Sequence, residues 1–507
     1  MPTISALLST VRDKLQGDSL KARCARGAII LSIGTFIAKF LGYGSKVVLT
    51  YLLASQEMGL MVVVLSLTQL FQVLTEVGIK QSVIQHEKGA RDEFLNVAWW
   101  FQILRGIGLY MVAFLLAPLL CRFYFAAKPE VIAAHTPAEL VALVRVAFLS
   151  VPFVAFMSPR AYILEKEFRF GKMVVLSQGS IALGSIATIV LAATIRNIWA
   201  LVIGFALAGL IQCVLSYVLC PFRPGLRFDR SSFNDIYKYA RGVVGLPVLT
   251  YIAMNTDVLV LGKLADASLM GYYGMALILA NTPYDLFSRI MNPILLPAFA
   301  KRQSDEDVLC RALFQITRYG GILLLPPMML AITCGGTVLD LVYPAEYSAA
   351  AIPFGFMCVY IIMRIQSAIL GNMFFGIGQP GKHRTFTLVR AIVLVILIYP
   401  VVRLFGLTGA AATVLLANVI ALCLQVVVAK KAIGLSITKY AMSWLPGLAL
   451  AGPIVFVTLV MKNLIPDKPM VYLAAGIFSC VILCMGGLFV AARRNVLCAR
   501  LGRSAIS

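Results

Sequence analysis

The sequence predicts an all-α membrane protein with about fourteen transmembrane helices, and three observations lead to this fold class. Of the 507 residues, 60% are hydrophobic and only 13% are charged, whereas charged residues make up about 25% of an ordinary soluble domain. The mean hydropathy is +0.90. Apolar windows long enough to cross about 30 Å of hydrocarbon recur along the chain, and no gap between them could hold a separate soluble domain.

The predicted spans follow one another at short intervals. They are 27–53, 58–78, 94–120, 140–164, 172–193, 197–220, 242–262, 267–297, 319–342, 350–376, 387–405, 407–430, 445–463 and 469–491. The segment LLASQEMG at Leu52–Gly59, after the first span, is echoed by LADASLMG at Leu264–Gly271, after the seventh. This repetition predicts two copies of a helical unit around a shared polar interior, an arrangement typical of secondary transporters.

The repeat and the span positions together predict five regions. These are a cytoplasmic N-terminal segment (1–26), a first lobe of six spans (27–220), a cytoplasmic linker (221–241), a second lobe of six spans (242–430), and two further spans with a cytoplasmic tail (431–507).

The net charge of +22 would suggest a nucleic-acid partner in a soluble chain. Sorted by loop, however, about 31 of the basic residues, including Lys382, Arg384 and Arg390, fall on one side of the predicted membrane and about 7 on the other. Cytoplasmic loops are enriched in Lys and Arg. We therefore expect both termini to be cytoplasmic. Because the net positive charge is explained by these loops, it does not indicate a nucleic-acid partner.

Ionisable residues inside the predicted spans are the candidate functional residues, because a charge in the middle of a bilayer is costly and rarely without a role. The basic members are Lys39, Lys46, Arg105, Arg145, Arg289 and Arg364, and the acidic members are Glu76, Asp257 and Asp285, with Asn255 as a polar neighbour. If they face one cavity, its lining is positive. The alternative is that some of them pair and only hold the lobes together.

Four prolines interrupt the seventh and eighth predicted spans: Pro247, Pro283, Pro293 and Pro297. Proline removes a backbone donor and bends a helix, and transporters often have broken helices beside a polar cavity. The pattern therefore predicts either a functional break or a static kink that packing accommodates.

No nucleotide or metal cofactor is expected. The run Gly376–His383 comes close to a phosphate-binding loop, but His383 stands where Ser or Thr should meet magnesium, and Pro380 lacks a backbone donor. The eleven cysteines show no ligand-like spacing, and the three histidines are far apart. We expect the energy for transport to come from a proton gradient, a sodium gradient or the membrane potential.

Several short stretches resemble the Wzx-type exporters of lipid-linked oligosaccharides, in the polysaccharide-transporter branch of the MOP flippase superfamily, and within it the colanic-acid-exporter-like subgroup. These stretches are Leu52–Leu60, Glu167–Phe170, Asn255–Asp257 with Leu261–Gly262, Gly271–Tyr273, Leu296–Phe299 and Gly376–Pro380. The resemblance covers most of the first twelve spans. It implies two six-helix lobes that form a V around a central cavity, plus two C-terminal helices, and the chain departs from it at Met58 and in the last two spans.

The resemblance also implies a function. The expected activity is that of a flippase, not an enzyme, which moves undecaprenyl-pyrophosphate-linked oligosaccharide to the periplasmic leaflet of the bacterial inner membrane by alternating access. The expected substrate-binding residues are Lys39, Lys46, Arg105, Arg145, Asn255, Arg289 and Arg364, and the candidates for ion coupling are Asp257, Asp285 and Glu76. Membrane lipids, a polysaccharide polymerase and chain-length machinery are the expected partners.

Three alternatives stay open at the level of sequence. Two belong to the same superfamily: a lipid II flippase and a multidrug efflux transporter. The basic excess argues against cation efflux, which calls for an acidic pocket. The third is a membrane-bound polysaccharide polymerase or ligase, which usually needs a large extracytoplasmic loop that is not visible here.

Overall fold

The computed structural model describes residues 20–74, 78–167, 169–225, 229–243, 246–303 and 305–504. Within these ranges the chain forms helices joined by short turns, and no strand occurs. The predicted fold class is confirmed: this is an all-α membrane protein.

The chain divides into two compact units. The first is Met1–Tyr251 with the short segment Asp266–Ser268, and the second is Ile252–Ala265 with Leu269–Ser507. The finer division into five regions stays a prediction.

The helices that begin before Ile252 are α1 (Leu20–Leu52), α2 (Ser55–Leu74), α3 (Ile79–Gln85), α4 (Asp92–Phe125), α5 (Pro129–Ala134), α6 (Pro137–Phe148), α7 (Ser150–Ala155), α8 (Ile163–Lys166), α9 (Phe170–Val174), α10 (Ser180–Ile195), α11 (Ile198–Leu219), α12 (Arg230–Val243) and α13 (Leu246–Leu264). Those that follow are α14 (Ala267–Ala300), α15 (Glu306–Thr333), α16 (Gly335–Val342), α17 (Ala351–Gly376), α18 (Pro380–Ile433), α19 (Ile437–Met442), α20 (Leu445–Leu464) and α21 (Pro469–Ser504). Short 3-10 turns lie at Glu87–Ala90, Pro159–Tyr162 and Ala345–Ala350, and one π-helical turn at Val175–Gly179.

Ten segments in the described part of the chain are long and apolar enough to cross a membrane. They are Ser55–Leu74, Asp92–Phe125, Pro137–Ala155, Gly171–Ile195, Ile198–Leu219, Glu306–Thr333, Ala345–Gly376, Pro380–Ile433, Ile437–Leu464 and Pro469–Phe489. Helices α1, α13 and α14 coincide with three other predicted spans. The number fourteen itself stays a prediction.

Helix α18 has a break that explains why one continuous segment covers two predicted spans. Gly406 has φ 56° and ψ −134°, outside the helical region. Side chains rarely tolerate this conformation, whereas glycine adopts it readily. The predicted spans 387–405 and 407–430 lie on either side of Gly406.

The two echoed segments occupy matching places. The first ends α1 and begins α2 at Ser55, while the second ends α13 and begins α14 at Ala267. Each is thus the turn between two consecutive long helices.

The prolines do not break α14. This helix runs without interruption from Ala267 to Ala300 through Pro283, Pro293 and Pro297. A proline costs one backbone hydrogen bond and can be accommodated as a bend in a membrane helix, where neighbouring groups satisfy the freed carbonyl. The interruption predicted for this span does not occur, and the alternative of an accommodated kink fits the structure.

The linker region 221–241 contains a helix that the sequence analysis did not predict. Asp229 caps α12 by accepting hydrogen bonds from the backbone N–H groups of Ser231 and Ser232, which satisfies donors that a helix start otherwise leaves open. The hydroxyl of Ser232 also donates to Asp229, at 2.5 Å, and this hydrogen bond, together with those from the backbone, holds the pKa of Asp229 below its usual value. Ile236 is fully buried in the same apolar cluster as Ile79 and Phe94, so α12 packs against α3 and α4 within the first unit.

Candidate functional site

A polar cavity lies among the helices of the second unit. Its volume is about 240 Å³, and its polar lining comes from α13, α14 and α17: Asn255, Asp257, Tyr273, Asn281, Asp285, Tyr360 and Arg364. These are polar groups inside otherwise apolar helices, where an unsatisfied polar atom is costly. The sequence-predicted residues Asn255, Asp257, Asp285 and Arg364 are therefore brought together around one space.

Arg364 is held from several sides. Its Nη1 donates to Asn281 Oδ1 at 2.8 Å, and its Nη2 lies 3.1 Å from the sulfur of Met254. The guanidinium carbon stands 3.7 Å from the centre of the Tyr284 ring, a cation–π geometry that suits the planar guanidinium better than an ammonium. The side chain is thus oriented before any ligand arrives.

Asp257 is 2% exposed, and one of its oxygens accepts a hydrogen bond from the hydroxyl of Tyr273 at 2.7 Å. Tyr273 itself is fully buried. Helix α13 supplies the acid and α14 the tyrosine. A carboxylate held in this way at a cavity wall can take up a proton or a small cation, because either one removes the cost of its buried negative charge.

Arg390 is a residue that the sequence analysis missed. It was counted among the loop cations, but it lies inside α18 and is partly buried, with its Nη1 3.5 Å from Asn418 Oδ1. It does not line the cavity that holds Arg364. Its position inside the predicted span 387–405 was the available signal.

Arg105 lies at a different cavity, within the first unit. That cavity has a volume of about 500 Å³ and is lined by polar residues of α2, α3, α4 and α11. Gln102, one turn before Arg105 on α4, is fixed there because its amide nitrogen donates to the carbonyl of Ala155 at 2.8 Å. The hydroxyl of Tyr162 donates to the amide oxygen of Gln102 at 3.1 Å.

The other predicted site residues line neither of these two cavities. Lys39 is half-buried, with its Nζ 5.6 Å from the centre of the Tyr43 ring. Lys46 and Arg289 are exposed. Glu76 lies outside the described residues.

Arg145 is engaged with a neighbouring helix. Its Nε donates to the backbone carbonyl of Phe114 at 3.3 Å, and its guanidinium carbon lies 3.8 Å from the centre of the Phe114 ring. These two contacts join α6 to α4. In this structure Arg145 contributes to packing within the first unit.

Solved structures share this fold. The lipid II flippase MurJ, in an inward closed conformation, aligns with 92% of this chain and 100% of its own at a TM-score of 0.75 and 14% identity. An inward-facing multidrug resistance MATE family transporter of the MOP superfamily aligns with 80% of this chain and 98% of its own, at a TM-score of 0.60 and 18% identity. At such identities the likeness shows the fold alone. The fold shared with these two transporters is that of a helical membrane protein, and in this chain it has polar cavities between its membrane helices.

The particular family follows from the sequence match. Residues 48–352 match the family model described as "Polysaccharide biosynthesis protein", and this chain belongs to that family. The lipopolysaccharide biosynthesis protein WzxC of Escherichia coli (strain K12) is 24% identical over 436 residues, which cover 84% of this chain and 85% of that protein. The succinoglycan biosynthesis transport protein ExoT of Rhizobium meliloti (strain 1021) is 23% identical over 307 residues, 59% of this chain and 58% of that protein.

Proposed function

We propose that this chain is a flippase that moves undecaprenyl-pyrophosphate-linked oligosaccharide repeat units from the cytoplasmic to the periplasmic leaflet of a bacterial inner membrane. The product would feed exopolysaccharide, capsule or O-antigen synthesis, with a polysaccharide polymerase and chain-length machinery as partners. The proposal is supported by family membership, by the match to WzxC across most of both chains, and by the fold shared with a flippase.

The observation that carries the proposal is the polar cavity of the second unit. A glycan headgroup cannot enter hydrocarbon, because its hydroxyls would lose their water partners without replacement. A transporter of such a headgroup must therefore place polar groups inside its membrane helices. Arg364, Asp257 and Asp285 line one cavity within otherwise apolar helices, which meets this requirement.

Substrate binding is assigned to the intramembrane cations. Lys and Arg match the charge of pyrophosphate and of acidic groups on the sugars, and a guanidinium can form two parallel hydrogen bonds to one such group. Arg364 is the leading residue, because Asn281 and Tyr284 already orient it. Asn255 is its polar neighbour at the same cavity, and Lys39, Lys46, Arg105, Arg145 and Arg289 complete the proposed set.

Two energy sources fit an alternating-access cycle. An inside-negative membrane potential is worth about 2.3 kcal/mol per charge per 100 mV and favours outward movement of an anionic headgroup. Alternatively, proton or sodium binding at Asp257 or Asp285 couples the cycle to an ion gradient, and Glu76 is a third candidate. The burial of Asp257 beside the hydroxyl of Tyr273 favours it among the three.

The test is substitution of Arg364 in cells that depend on this chain for surface polysaccharide. We expect Arg364→Ala to reduce export at least about tenfold, because a hydrogen bond to a charged group is worth about 1.5–3 kcal/mol. Arg364→Lys should recover only part of it, since an ammonium cannot keep both the Asn281 and the Tyr284 contacts. The readouts are surface polysaccharide and accumulated lipid-linked repeat unit.

The matched control is Arg403→Ala. Arg403 is also an arginine packed on a tyrosine, 5.0 Å from the centre of the Tyr399 ring, but it is exposed and lines neither cavity. Normal export in Arg364→Ala at equal protein level would contradict the cationic site.

Arrest of cell-wall synthesis on depletion of the chain would instead identify lipid II as the substrate, and a change in resistance to cationic drugs would identify efflux.

A further inference from the structure

The cavity of the first unit is lined by side-chain amides. Five glutamines from four helices reach it: Gln69, Gln72, Gln81, Gln102 and Gln212. Its volume of about 500 Å³ is within the ~300–1,000 Å³ typical of small-molecule sites. Apart from Arg105, none of its lining residues was among the sequence-predicted site residues. Four of the five glutamines, all but Gln81, lie on membrane-spanning segments. An amide there is costly without polar partners, so the convergence of these side chains calls for a physical explanation.

Helical spacing aims these amides at one space. Gln69 and Gln72 are three residues apart on α2, and Gln102 and Arg105 are three residues apart on α4. Residues at this spacing lie on the same face of a helix. Each of the two long helices therefore presents a polar pair to the cavity.

One part of the lining is already fixed. Gln102 is 5% exposed and uses its amide nitrogen on the carbonyls of Val154 and Ala155. Its oxygen accepts from the hydroxyl of Tyr162, which also lines the cavity. Gln102 and Tyr162 thus form a fixed wall, and other helices add the amides of Gln69, Gln81 and Gln212 to the lining.

The charge of the lining limits the occupant further. Lys80 and Arg105 are its ionised residues, and no acid occurs among the described residues that line it. Lys80 already forms an ion pair with Glu165, with its Nζ 2.7 Å from Oε2. Neutral amides therefore outnumber the cations, and Arg105 adds positive charge. This lining suits a polar molecule that is neutral or weakly acidic.

We propose that this cavity is a subsite for a sugar residue of the transported glycan, with Gln69, Gln81 and Gln212 as its specificity-determining side chains. An amide offers two N–H donors and a carbonyl acceptor, and a sugar hydroxyl both donates and accepts, so the groups are complementary. Arg105 would bind a carboxylate on an acidic sugar. The inference rests on the proposed function, which concerns the lipid-linked substrate of the same transporter.

The direct test is binding of free sugars to the full-length protein in lipid nanodiscs. The probes are the methyl glycosides of glucose, galactose, mannose, N-acetylglucosamine and glucuronic acid, detected by saturation-transfer NMR. We expect at least one to bind the unmodified protein. It should bind about tenfold more weakly to the double variant Gln81→Met/Gln212→Met, because two hydrogen bonds of ordinary strength are lost.

Two further variants separate binding from folding. Gln178→Met is the matched control, because Gln178 is a glutamine of the same unit that does not line the cavity, and it should bind sugar normally. Gln212→Asn keeps an amide on a shorter stem and should retain part of the binding. Arg105→Met should weaken methyl glucuronoside more than methyl glucoside.

The outcomes distinguish this site from the proposed function. If none of the five glycosides gives a signal that depends on Gln81 or Gln212, the sugar subsite is wrong, even if the chain exports lipid-linked glycan. If the sugars bind as expected but reconstituted vesicles show no flipping of lipid-linked glycan, the site stands and the proposed function fails. The last probe is undecaprenyl pyrophosphate without sugar, which should bind equally well to the double variant and to the unmodified protein. If the double variant instead bound this carrier as weakly as it binds the sugars, the cavity would be a phosphate site and the sugar assignment would be wrong.

Discussion

Asp257 and Arg364 show how single residues set the chemistry of the second-unit cavity. Each is held by a neighbour that fixes its direction: the Tyr273 hydroxyl bonds Asp257 at 2.7 Å, and Asn281 bonds Arg364 at 2.8 Å. A buried carboxylate and a partly buried guanidinium at one cavity wall partly neutralise each other without needing direct contact. We therefore propose that binding of a proton or cation at Asp257 changes how strongly the cavity attracts an anion and so links ion binding to substrate binding.

Replacing Asp257 by Asn tests this link. The amide oxygen of Asn can still accept the Tyr273 hydrogen bond, so we expect thermal stability close to that of the unmodified protein. The side chain can no longer take up a proton or hold a cation, so we expect transport in vesicles to lose its response to an imposed proton or sodium gradient. Asp266→Asn, in the exposed turn before α14, should respond normally. An unchanged gradient response in Asp257→Asn would remove Asp257 from the coupling role.

At the scale of the helix, α18 depends on one glycine. Gly406 has φ 56° and ψ −134°, and a Cβ built there has no heavy atom within 4 Å. The requirement for glycine at this position is therefore one of backbone conformation and not of space. The two halves of α18 continue in different directions from Gly406. The bend at this residue therefore also determines which neighbouring helices each half can contact.

Gly406→Ala should therefore destabilise the protein by about 1–3 kcal/mol, the usual cost of a non-glycine residue in such a conformation. Thermal unfolding in detergent measures it. The control is Gly108→Ala in the middle of α4, where an added Cβ also meets open space but the backbone is helical. That change should be neutral or stabilising by up to about 1 kcal/mol. Equal effects at the two positions would show that the bend at Gly406 is not required.

Over the whole molecule, the distribution of Lys and Arg sets the orientation in the membrane. About 31 loop cations lie on one predicted side and about 7 on the other, and the side that is rich in Lys and Arg remains in the cytoplasm. We therefore expect a fluorescent protein fused to either terminus to fluoresce, and alkaline phosphatase fused there to be inactive.

The turn between α20 and α21 provides the internal control for this orientation. It includes Asp467 and Lys468, and phosphatase inserted there should be active because this turn should face the periplasm. Activity at a terminus, or inactivity at this turn, would contradict the predicted topology. The experiment also tests the predicted even number of spans, because an odd number places the termini on opposite sides.

The sequence by itself determined the fold class, most helix positions and the family. These properties follow from local pattern, since a long apolar window must be helical in a bilayer that offers its backbone no partners, and a bend such as that at Gly406 is marked by its own residue. The echo of Leu52–Gly59 in Leu264–Gly271 likewise located matching turns in the two units. Helix α12 was missed because it is amphipathic and too polar to be predicted as a span.

Only the tertiary structure decided which polar residues share a space. Asn255, Asp257, Asp285 and Arg364 meet at one cavity, while Arg105 meets glutamines at another and Arg145 packs on Phe114. Helical spacing orders residues along one helix, but the direction in which that helix faces is set by packing against helices that are distant in sequence. The glutamines of the first-unit cavity could not be predicted for the same reason. A single uncharged amide in a sequence does not indicate a binding site, and five of them indicate one only when folding brings them to the same cavity.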